Sequence, residues 1–440
     1  MNQFLKRPLL SQALLIGGTI ATAGAMYLFV PGLSRSVKAA LQDSPKQIVD
    51  EAWQIVNREY VDGTFNQVDW QAVRQSLLSK NYTSREDAYT ALRGALEKLQ
   101  DPYTRFMNPK QFESLTNQTS GELSGVGIRL EVNEQTKVLT VVEPIDNSPA
   151  LKAGIQAGDR ILEIDGKPTQ GMTVEAASDL IRGSVGSKVK LRLSREFKGE
   201  FDVPLVRARI ELKTVTYSLK QEGQSKVGYI RLNEFSSHAA EQMNSAIKAL
   251  LAQKVDGFVL DLRGNPGGLL QASIEISRMW MDNGAIVRTV DRKGDSDEIK
   301  LNRSALTKLP LVVLVDGNSA SSSEILTGAL KDNGRAKVVG SQTFGKALVQ
   351  SVHALSDGSG LAVTIAHYYT PNGTDISQKG IVPDIKVDLS DTQKQFLASN
   401  PKLIGTKDDP QYAQAVRVLE NIAFAKPGAN QSARPAMNPN

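Results

Sequence analysis

The sequence predicts an α+β multidomain protein in which three folded regions follow an apolar N-terminus. Apolar residues recur at helical spacing over 44–113, which indicates an N-terminal helical region. Short β-like runs separated by turn residues fill 114–205, which indicates a compact α+β module. Buried-looking strands alternate with helices over 206–389, a pattern typical of a layered α/β domain. The 440 residues suffice for about two to four domains.

The overall composition excludes several classes of site and partner. The chain has no cysteine, so it has no thiol nucleophile, disulfide or Cys-ligated metal centre, and its three histidines are too few for a histidine-rich metal site. We therefore expect neither a metal nor another cofactor. The 52 basic residues exceed the 47 acidic ones, but four of the basic residues lie in 1–39, which hold no acid. Because the remainder is nearly neutral, we expect no nucleic-acid partner.

Residues 1–43 have the features of an export signal or a membrane anchor. Lys6 and Arg7 precede an uncharged stretch over 9–30, which is long enough to cross a bilayer, since about 20 apolar residues are needed. The run Val37-Lys38-Ala39 is a small-x-small site that signal peptidase could cleave. A removed signal and a retained anchor both stay open, and both place the rest of the chain outside the cytoplasm.

Helix and strand signals define the elements of the first two regions. One helix is predicted around 48–60, and a second around 88–99 starts at a cap formed by Ser84 and Asp87. Asp101-Pro102 ends this second helix. In the α+β module the expected elements are, in chain order, strands Val138–Val142 and Arg160–Ile164, helix Val174–Ile181 and strand Val189–Leu193.

The third region has the most regular alternation of strands and helices. Its predicted strands are Val227–Leu232, Gly257–Leu262, Leu311–Val315, Lys337–Val339 and Leu361–Ile365. Its predicted helices are His238–Leu251, Gly268–Trp280 and Ala320–Lys331. Beyond it, 390–440 is expected to hold one helix, Pro410–Ile422, and a disordered tail, Lys426–Asn440, because that tail has almost no apolar side chains.

A serine-rich loop follows one of these strands and opens a helix. The segment Asp316–Glu324 places serines where free N–H groups and the positive end of a helix dipole favour a nucleophile or an anion. The spacing of Ser321 and Glu324 also matches a capping box, so a catalytic and a structural role both stay open. A similar loop, Asp261–Gly268, ends in two glycines that either bring backbone N–H groups close to a ligand or form a tight turn.

The segment Gly340–Lys346 matches the first seven positions of a phosphate-binding loop. Ala347 stands where a hydroxyl should bind magnesium, and 348–352 predict a strand instead of a helix, so nucleotide binding is disfavoured. Lys346 is then left between apolar neighbours. It either extends to the surface or is a desolvated lysine whose lowered pKa suits a general base.

The α+β module contains a loop suited to a peptide terminus. The run Ser124-Gly-Val-Gly-Ile128 leads into an alternating strand, and its N–H groups could hold a terminal carboxylate while the strand adds the peptide to the sheet. Glycine-punctuated runs at 148–154 and 157–166 continue the pattern, which a plain β-turn does not explain. The module is therefore predicted to bind peptides.

In combination these motifs resemble those of the carboxyl-terminal processing, or tail-specific, proteases. The resemblance covers about 44–389, and four runs carry it: Asp101-Pro-Tyr-Thr-Arg-Phe106, the Gly-Val-Gly-Ile and Ala-Gly-x-x-x-Gly-Asp pattern of a PDZ domain, Asp261-Leu-Arg-x-Asn-x-Gly-Gly268, and Asn-Ser-Ala-Ser321 followed by Thr-Phe-Gly-Lys346. The resemblance implies a PDZ-like domain at 114–205 and an α/β serine-protease core at 206–389. It also implies an exported, ATP-independent endopeptidase that cuts proteins near their C-termini.

The resemblance implies a Ser–Lys dyad. Ser321 would be the nucleophile, Lys346 its general base 25 positions later, and Gln350 the residue that positions the lysine. A free lysine has a pKa near 10.4, which must fall to roughly 7–8 for work near neutrality.

The resemblance also implies two sets of backbone donors. The N–H groups of Gly267 and Ser322 would form the oxyanion hole, with Gly268 as the alternative to Gly267. Ser322 is a departure, because alanine is common at this place in the family. The residues expected to bind the substrate C-terminus are Gly125, Val126, Gly127 and Ile128.

The expected partners are protein substrates with accessible C-termini. The family implies a location on the periplasmic or thylakoid-lumen side, with possible membrane association through 9–30. Its cyanobacterial and chloroplast members mature a photosystem II subunit, a substrate that these residues do not single out. Two alternatives stay open: a PDZ scaffold, which needs no desolvated Lys346, and a P-loop ATPase, which would bind nucleotide there.

Overall fold

The computed structural model describes residues 44–133 and 136–424. The predicted export signal or anchor and the predicted disordered tail lie outside the described residues. In the described ranges, no helix has the length and apolar character needed to cross a membrane. The α+β prediction is confirmed, and the chain forms two compact units: Asn117–Lys213 is the smaller, and the residues before and after it together make the larger. The domain boundaries expected from the sequence stay a prediction.

The larger unit begins with a group of helices. Its first elements are α1 (Pro45–Glu59), α2 (Trp70–Ser79), α3 (Arg85–Leu96), a 3-10 turn at Glu97–Leu99, strand β1 (Arg105–Met107) and α4 (Pro109–Ser120). The predicted cap of α3 is confirmed, because the Ser84 hydroxyl accepts the Asp87 N–H and the Asp87 carboxylate accepts the Ser84 N–H, both at 3.1 Å. The buried faces of α1–α3 pack around the stacked rings of Trp53 and Trp70.

The smaller unit is an antiparallel sheet with two short helices. Its elements are β2 (Glu122–Gly125), β3 (Ile128–Val132), β4 (Leu139–Pro144), α5 (Pro149–Lys152), β5 (Arg160–Ile164), β6 (Lys167–Pro168), α6 (Val174–Ile181), β7 (Lys188–Arg195), β8 (Gly199–Val206) and β9 (Ala208–Glu211). The strand order is β3-β4-β5-β7-β8, with β6 on β5, and β2 pairs separately with β9. Alternate residues of β7, Val189, Leu191 and Leu193, are buried, as the period of a half-covered strand requires.

Two further sheets complete the larger unit. Their strands are β10 (Val215–Glu222), β11 (Ser225–Leu232), β12 (Gly257–Asp261), β13 (Ala285–Asp291), β14 (Ser296–Lys300), β15 (Leu311–Val315), β16 (Lys337–Gly340), β17 (Leu348–Ala354), β18 (Gly360–Tyr369) and β19 (Ile385–Lys386). One sheet has the order β10-β11-β12-β15-β16-β19 and is parallel from β11 onward. The other has the order β1-β18-β13-β14, with β17 also paired to β18.

Helices cover both faces of the six-stranded sheet. The remaining helices are α7 (Ala239–Ala252), α8 (Leu270–Trp280), α9 (Ser322–Asp332), α10 (Asp391–Ser399), a 3-10 turn at Pro401–Leu403 and α11 (Pro410–Phe424). Helices α7, α8 and α9 share one apolar core with the sheet, and α11 packs on the opposite face. This double cover explains why β12 and β15 are buried along their whole length. The predicted helix at Pro410–Ile422 is confirmed, but it is a structural layer of the larger unit instead of an appendage.

Candidate active site

The serine-rich loop after β15 ends at Ser321, immediately before the first residue of α9. Its backbone has φ +54° and ψ −115°, a left-handed conformation that is strained for a residue with a side chain. Such strain persists only where the surrounding structure fixes it, and it is concentrated at functional sites. The position at a helix N-terminus also favours developing negative charge.

The four serines at the end of this loop and the start of α9 differ in what their hydroxyl groups contact. Three hydroxyls donate to backbone carbonyls: Ser319 to Leu262 at 2.8 Å, Ser322 to Gly268 at 3.0 Å and Ser323 to Asn265 at 2.9 Å. The Ser321 hydroxyl donates to no acceptor in the part of the chain that the structure describes. Of the four, it is therefore the hydroxyl that is free to react.

The buried carboxylate of Glu324 joins the start of α9 to the loop that ends at Lys346. It accepts hydrogen bonds from the N–H groups of Ser321 (2.9 Å), Gly345 (2.7 Å) and Lys346 (2.9 Å) and from the Thr343 hydroxyl (2.6 Å). Burial raises the pKa of this carboxyl, against the lowering effect of the hydrogen bonds that it accepts. The capping-box spacing seen in the sequence thus belongs to a larger network that holds Ser321 and Lys346 together.

The hydroxyl of Tyr368 on β18 makes a second link between the same two segments. This buried side chain donates to the Lys346 carbonyl, and its oxygen lies 3.2 Å from the Ser321 carbonyl. Sequence reasoning missed Tyr368, because one tyrosine in a strand carries no local signal of its contacts. Glu324 and Tyr368 together fix the backbone of Ser321 relative to that of Lys346.

The Lys346 side chain is half-buried beside an aromatic ring. Its Nζ lies 4.7 Å from the centre of the Tyr103 ring. Burial lowers the pKa of the amine and the charge of Arg105 lowers it further, whereas Asp101 and Glu324 act in the opposite direction. Among the described residues, no hydrogen bond joins this amine to the Ser321 hydroxyl. The structure therefore brings the two backbones together and lowers the pKa of the lysine without direct contact between the reactive atoms.

The backbone groups predicted for the oxyanion hole lie next to Ser321. Gly267 has φ +107°, and a Cβ atom there would lie 2.8 Å from the Ser321 Cβ and 3.1 Å from the Ser322 nitrogen, so only glycine permits this approach. The Gly267 N–H donates to the side-chain oxygen of Asn265 at 2.9 Å. By contrast, no acceptor within the described ranges takes the N–H of Ser322 or of Gly268.

Gln350 lies on β17, four residues after Lys346 and opposite Thr364 of β18. The pairing of the two strands is irregular at this point, between Val349 and Gln350. The side-chain nitrogen of Gln350 is buried, and it has no acceptor in the described part of the chain. A buried donor without a partner costs about 1–3 kcal/mol, so the unpaired amide is an energetically unfavourable feature of this part of the fold.

The phosphate-binding alternative conflicts with the structure around Lys346. The residues that follow form strand β17, as predicted, and not the helix that a phosphate-binding loop needs. The N–H groups of Gly345 and Lys346 already donate to the Glu324 carboxylate. An anionic side chain thus occupies the donors that a phosphate would use.

His353 lies in an apparent Ser–His–Glu arrangement. Its Nε2 is 3.0 Å from the Ser351 hydroxyl and 2.7 Å from the Glu59 carboxylate. A triad base uses one ring nitrogen for the serine and the other for the acid, whereas here both partners meet the same nitrogen. These three residues therefore do not have the geometry of a catalytic triad.

The loop predicted to bind a carboxylate, Gly125–Ile128, lies between β2 and the outer strand β3 of the smaller unit. Gly127 has φ +78°, and a Cβ atom there would come within 2.3 Å of the Ser148 Cβ. The carbonyls of Val126 and Gly127 accept hydrogen bonds from within the unit, but no acceptor in its described residues takes their N–H groups. Two free N–H groups beside an outer strand are the arrangement that binds the terminus of a strand-adding peptide.

These features define a serine-type peptidase core combined with a PDZ domain. Residues 226–387 match the model of peptidase family S41, and residues 140–195 match the model of the PDZ domain. Both matches confirm the fold and the enzyme class that the sequence motifs predict. They do not extend to the N-terminal helices or to α11.

The chain belongs to the carboxyl-terminal-processing proteases. It is 44% identical over 373 residues to the carboxyl-terminal-processing protease of Picosynechococcus sp., a match that covers 84% of this chain and 88% of that protein. It is also 44% identical over 398 residues to the protein of the same name from Synechocystis sp., covering 89% of this chain and 90% of that protein. The solved structure of a photosystem II D1 C-terminal processing protease has 35% identity and a TM-score of 0.53, with 84% of this chain and 99% of that one covered.

Proposed function

We propose that this chain is an ATP-independent endopeptidase that cleaves exported proteins near their C-termini with a Ser321–Lys346 dyad. One observation carries the proposal: the Glu324 carboxylate and the Tyr368 hydroxyl each contact the backbone of both residues. The free hydroxyl of Ser321 supports its assignment as nucleophile. The lowered pKa supports Lys346 as the base.

In the proposed reaction the amine of Lys346 starts neutral. It takes the proton of the Ser321 hydroxyl as that oxygen attacks the substrate carbonyl, and the resulting ammonium donates the proton to the leaving amine. Water then attacks the acyl-enzyme and gives its proton to the same amine, which returns it to the serine oxygen. Burial assists both steps because it makes the neutral amine available closer to neutral pH.

The negative charge on the substrate oxygen needs fixed donors. We assign the N–H of Ser322 as one donor, because it is unpaired and adjacent to the nucleophile. Gly267 supplies the second if the substrate displaces the Asn265 oxygen, and Gly268, whose N–H is unpaired, is the alternative. One donor in a comparable site contributes about 2.7–4 kcal/mol to transition-state stabilisation.

Gln350 is assigned the role of positioning the lysine. A glutamine side chain has a carbonyl oxygen that can accept an N–H of the lysine, whether the lysine is neutral or charged. Such a contact would orient the amine and leave its lone pair free for the Ser321 proton. The burial of the Gln350 amide, whose nitrogen has no acceptor in the described part of the chain, supports a role inside the site.

The PDZ domain is proposed to hold the substrate by its free C-terminal carboxylate. The N–H groups of Gly125–Ile128 supply the donors, and β3 supplies the strand that the substrate extends. A peptide with a free acid should bind at least tenfold more tightly than its C-terminal amide, which is about 1.4 kcal/mol. Equal binding of both forms would place recognition elsewhere.

The proposed location follows from the N-terminal segment. Residues 9–30 would send the chain to the periplasmic or thylakoid-lumen side of a membrane, as a removed signal or as an anchor. The structural relative is named for C-terminal processing of photosystem II D1, which supports a protein processed at its C-terminus as one kind of substrate.

The decisive experiment is cleavage of an unstructured polypeptide by the purified protein, with and without ATP. Wild type should cleave at the same rate in both conditions, and Ser321→Ala should be inactive. Ser322→Ala is the matched control, since its hydroxyl contacts a carbonyl and only its N–H is assigned to the reaction. Activity that requires ATP, or that survives Ser321→Ala, would overturn the proposal.

A further inference from the structure

The segment Asp101–Phe106 belongs to the N-terminal region and lies outside both stretches matched by the family models. Its sequence contributes to the resemblance described above, yet nothing in the proposed reaction uses it. Strand pairing, hydrogen bonds and one ring contact nevertheless connect this segment to the strand that faces Gln350 and to the side chain of Lys346.

The segment is built into the edge of the five-stranded sheet. On one side β18 pairs with β17. On its other side β18 pairs with β1 along one stretch and with β13 along another. Between β1 and β13, the N–H of Thr364 donates to the Thr104 hydroxyl at 3.0 Å. The Asp101 carboxylate accepts the hydroxyl groups of Thr104 and Thr364, each at 2.7 Å, and the Tyr103 N–H at 2.9 Å. The turn at 101–104 therefore has a fixed position on the strand opposite Gln350.

This turn places the ring of Tyr103 against the Lys346 amine. The distance from Nζ to the ring centre is 4.7 Å, within the range in which an aromatic face attracts a cation. The charged groups that face the amine are Arg105, which disfavours the ammonium, and Asp101 and Glu324, which favour it. No hydrogen bond in the described ranges involves the Tyr103 hydroxyl, so the contact depends on the ring alone.

We propose that Tyr103 is a positioning residue for Lys346, which its ring holds near the nucleophile. The inference rests on the proposed function. During the reaction the ring face stabilises the ammonium that forms when Lys346 takes the serine proton, until the proton passes to the leaving amine. It also covers part of the lysine side chain and keeps water from it.

The test compares Tyr103→Phe, which keeps the ring, with Tyr103→Leu, which keeps an apolar side chain without the ring. Tyr103→Leu should lower kcat for a peptide by about tenfold with KM within about twofold of wild type, whereas Tyr103→Phe should stay within about twofold in both. Because Leu removes an attraction for the ammonium, the acid limb of the kcat/KM profile should move to lower pH by roughly half a unit. A purely structural role would lower activity without moving that limb.

Tyr82→Leu is the matched control, because Tyr82 is half-buried in the same N-terminal region and its hydroxyl donates to the Leu77 carbonyl, far along the chain from Lys346. It should leave kcat unchanged. If Tyr103→Leu does not fold, as judged by its melting curve, Tyr103→Met takes its place with the same expectations. The inference would be overturned if the variant without the ring kept the wild-type kcat, or if Tyr103→Phe and Tyr103→Leu lost equal activity. It would also be overturned if the acid limb of the kcat/KM profile did not move.

The Lys346→Ala variant separates this inference from the proposed function. Full activity of Lys346→Ala would overturn the dyad and, with it, the role of Tyr103. Loss of activity in Lys346→Ala together with full activity in Tyr103→Leu would overturn the role of Tyr103 alone.

Discussion

At the scale of single residues, Ser321 and Lys346 share the supports that hold them. Glu324 and Tyr368 contact the backbone of both, so a displacement of one segment is transmitted to the other. In the proposed mechanism the two side chains act as one catalytic unit. Because the serine and the lysine act together, we expect specific effects on the kinetics of their variants and on the pH dependence of activity.

Ser321→Ala and Lys346→Ala should each lower kcat by at least about a thousandfold, and the double variant should be no worse than either. Residues that act as a unit show such non-additive losses, because removing one already disables the other. Turnover of one peptide by the three variants and wild type tests the expectation. Losses that multiply in the double variant would indicate that the residues contribute independently.

Activity should rise with pH through the lowered pKa of Lys346. Burial disfavours the ammonium, so the amine becomes neutral, and able to accept a proton, at a lower pH than a free lysine. Lys346→Arg should be inactive across the accessible pH range, since a guanidinium stays charged. The kcat/KM profile between about pH 6 and 9 is the measurement, and a rate that falls over this range would point to a different base.

Local motifs made part of the site predictable from the sequence, and long-range contacts account for the rest. Ser321 and Lys346 each belong to a contiguous run at the end of a buried strand. Tyr103 and Tyr368 acquire their roles only when distant segments meet at Lys346, so no spacing along the chain reveals them. The hydrogen bond from Gly267 to Asn265 is likewise visible only in the folded loop.

At the scale of elements, the loop Gly125–Ile128 illustrates how backbone conformation sets a binding site. Gly127→Ala should weaken binding of a free-acid peptide by at least tenfold, about 1.4 kcal/mol, because the new Cβ would meet the Ser148 Cβ at 2.3 Å and move the N–H donors. Gly166→Ala is the matched control, since Gly166 has nearly the same φ, +77°, and open space around its Cβ position. An alanine at either position has nearly the same unfavourable positive φ. Equal losses of affinity in the two variants would therefore show that the steric contact at Gly127 does not matter.

The predictability of each element depends on its environment. Strands β12 and β15 are continuous apolar runs because helices cover both faces of their sheet, and their positions were predicted to within one residue. Strand β14 was missed, because it and the turn before it, Arg292–Asp295, are polar and resemble a loop. Pairing with β13 compensates for the weak local signal of β14, whereas β13 itself was missed despite an apolar, β-branched run.

At the scale of the whole molecule, α11 is tied to the loop that carries Gly267. Arg263 is buried and pairs with Asp261 at 2.6 Å and with Asp409, just before α11, at 2.7 Å. Asp409→Ala should lower the free energy of unfolding by about 3 kcal/mol, because it leaves part of a buried guanidinium without its partner. Urea unfolding is the measurement, and Asp408→Ala, at the exposed neighbouring position, is the control. A loss no larger than that of the control would mean that Asp261 and the side-chain oxygen of Gln411, which also accepts from Arg263, suffice to satisfy the guanidinium.

The layered architecture was predictable from the alternation of strands and helices. The packing of α11 on one face of the six-stranded sheet was not. The helix at Pro410–Ile422 was expected as a C-terminal addition, since nothing in its own residues reveals which face of the sheet it covers. The apolar side chains of β11, β12 and β15 that α11 covers would otherwise face water. Removal of α11 should therefore be far more damaging than its position near the end of the chain suggests.

The larger unit is assembled from chain on both sides of the smaller one, which determines when a newly made molecule becomes competent. Arg105 of β1 pairs with Ala362 of β18, which is synthesised much later. Arg263 likewise pairs with Asp409, near the end of the described chain. Because synthesis proceeds from the N-terminus, the early segments stay unpaired until nearly all of the later ones have been made. A protease assembled in this order completes its active site last, so a chain that is still being synthesised does not yet hold a formed active site that could cleave its neighbours.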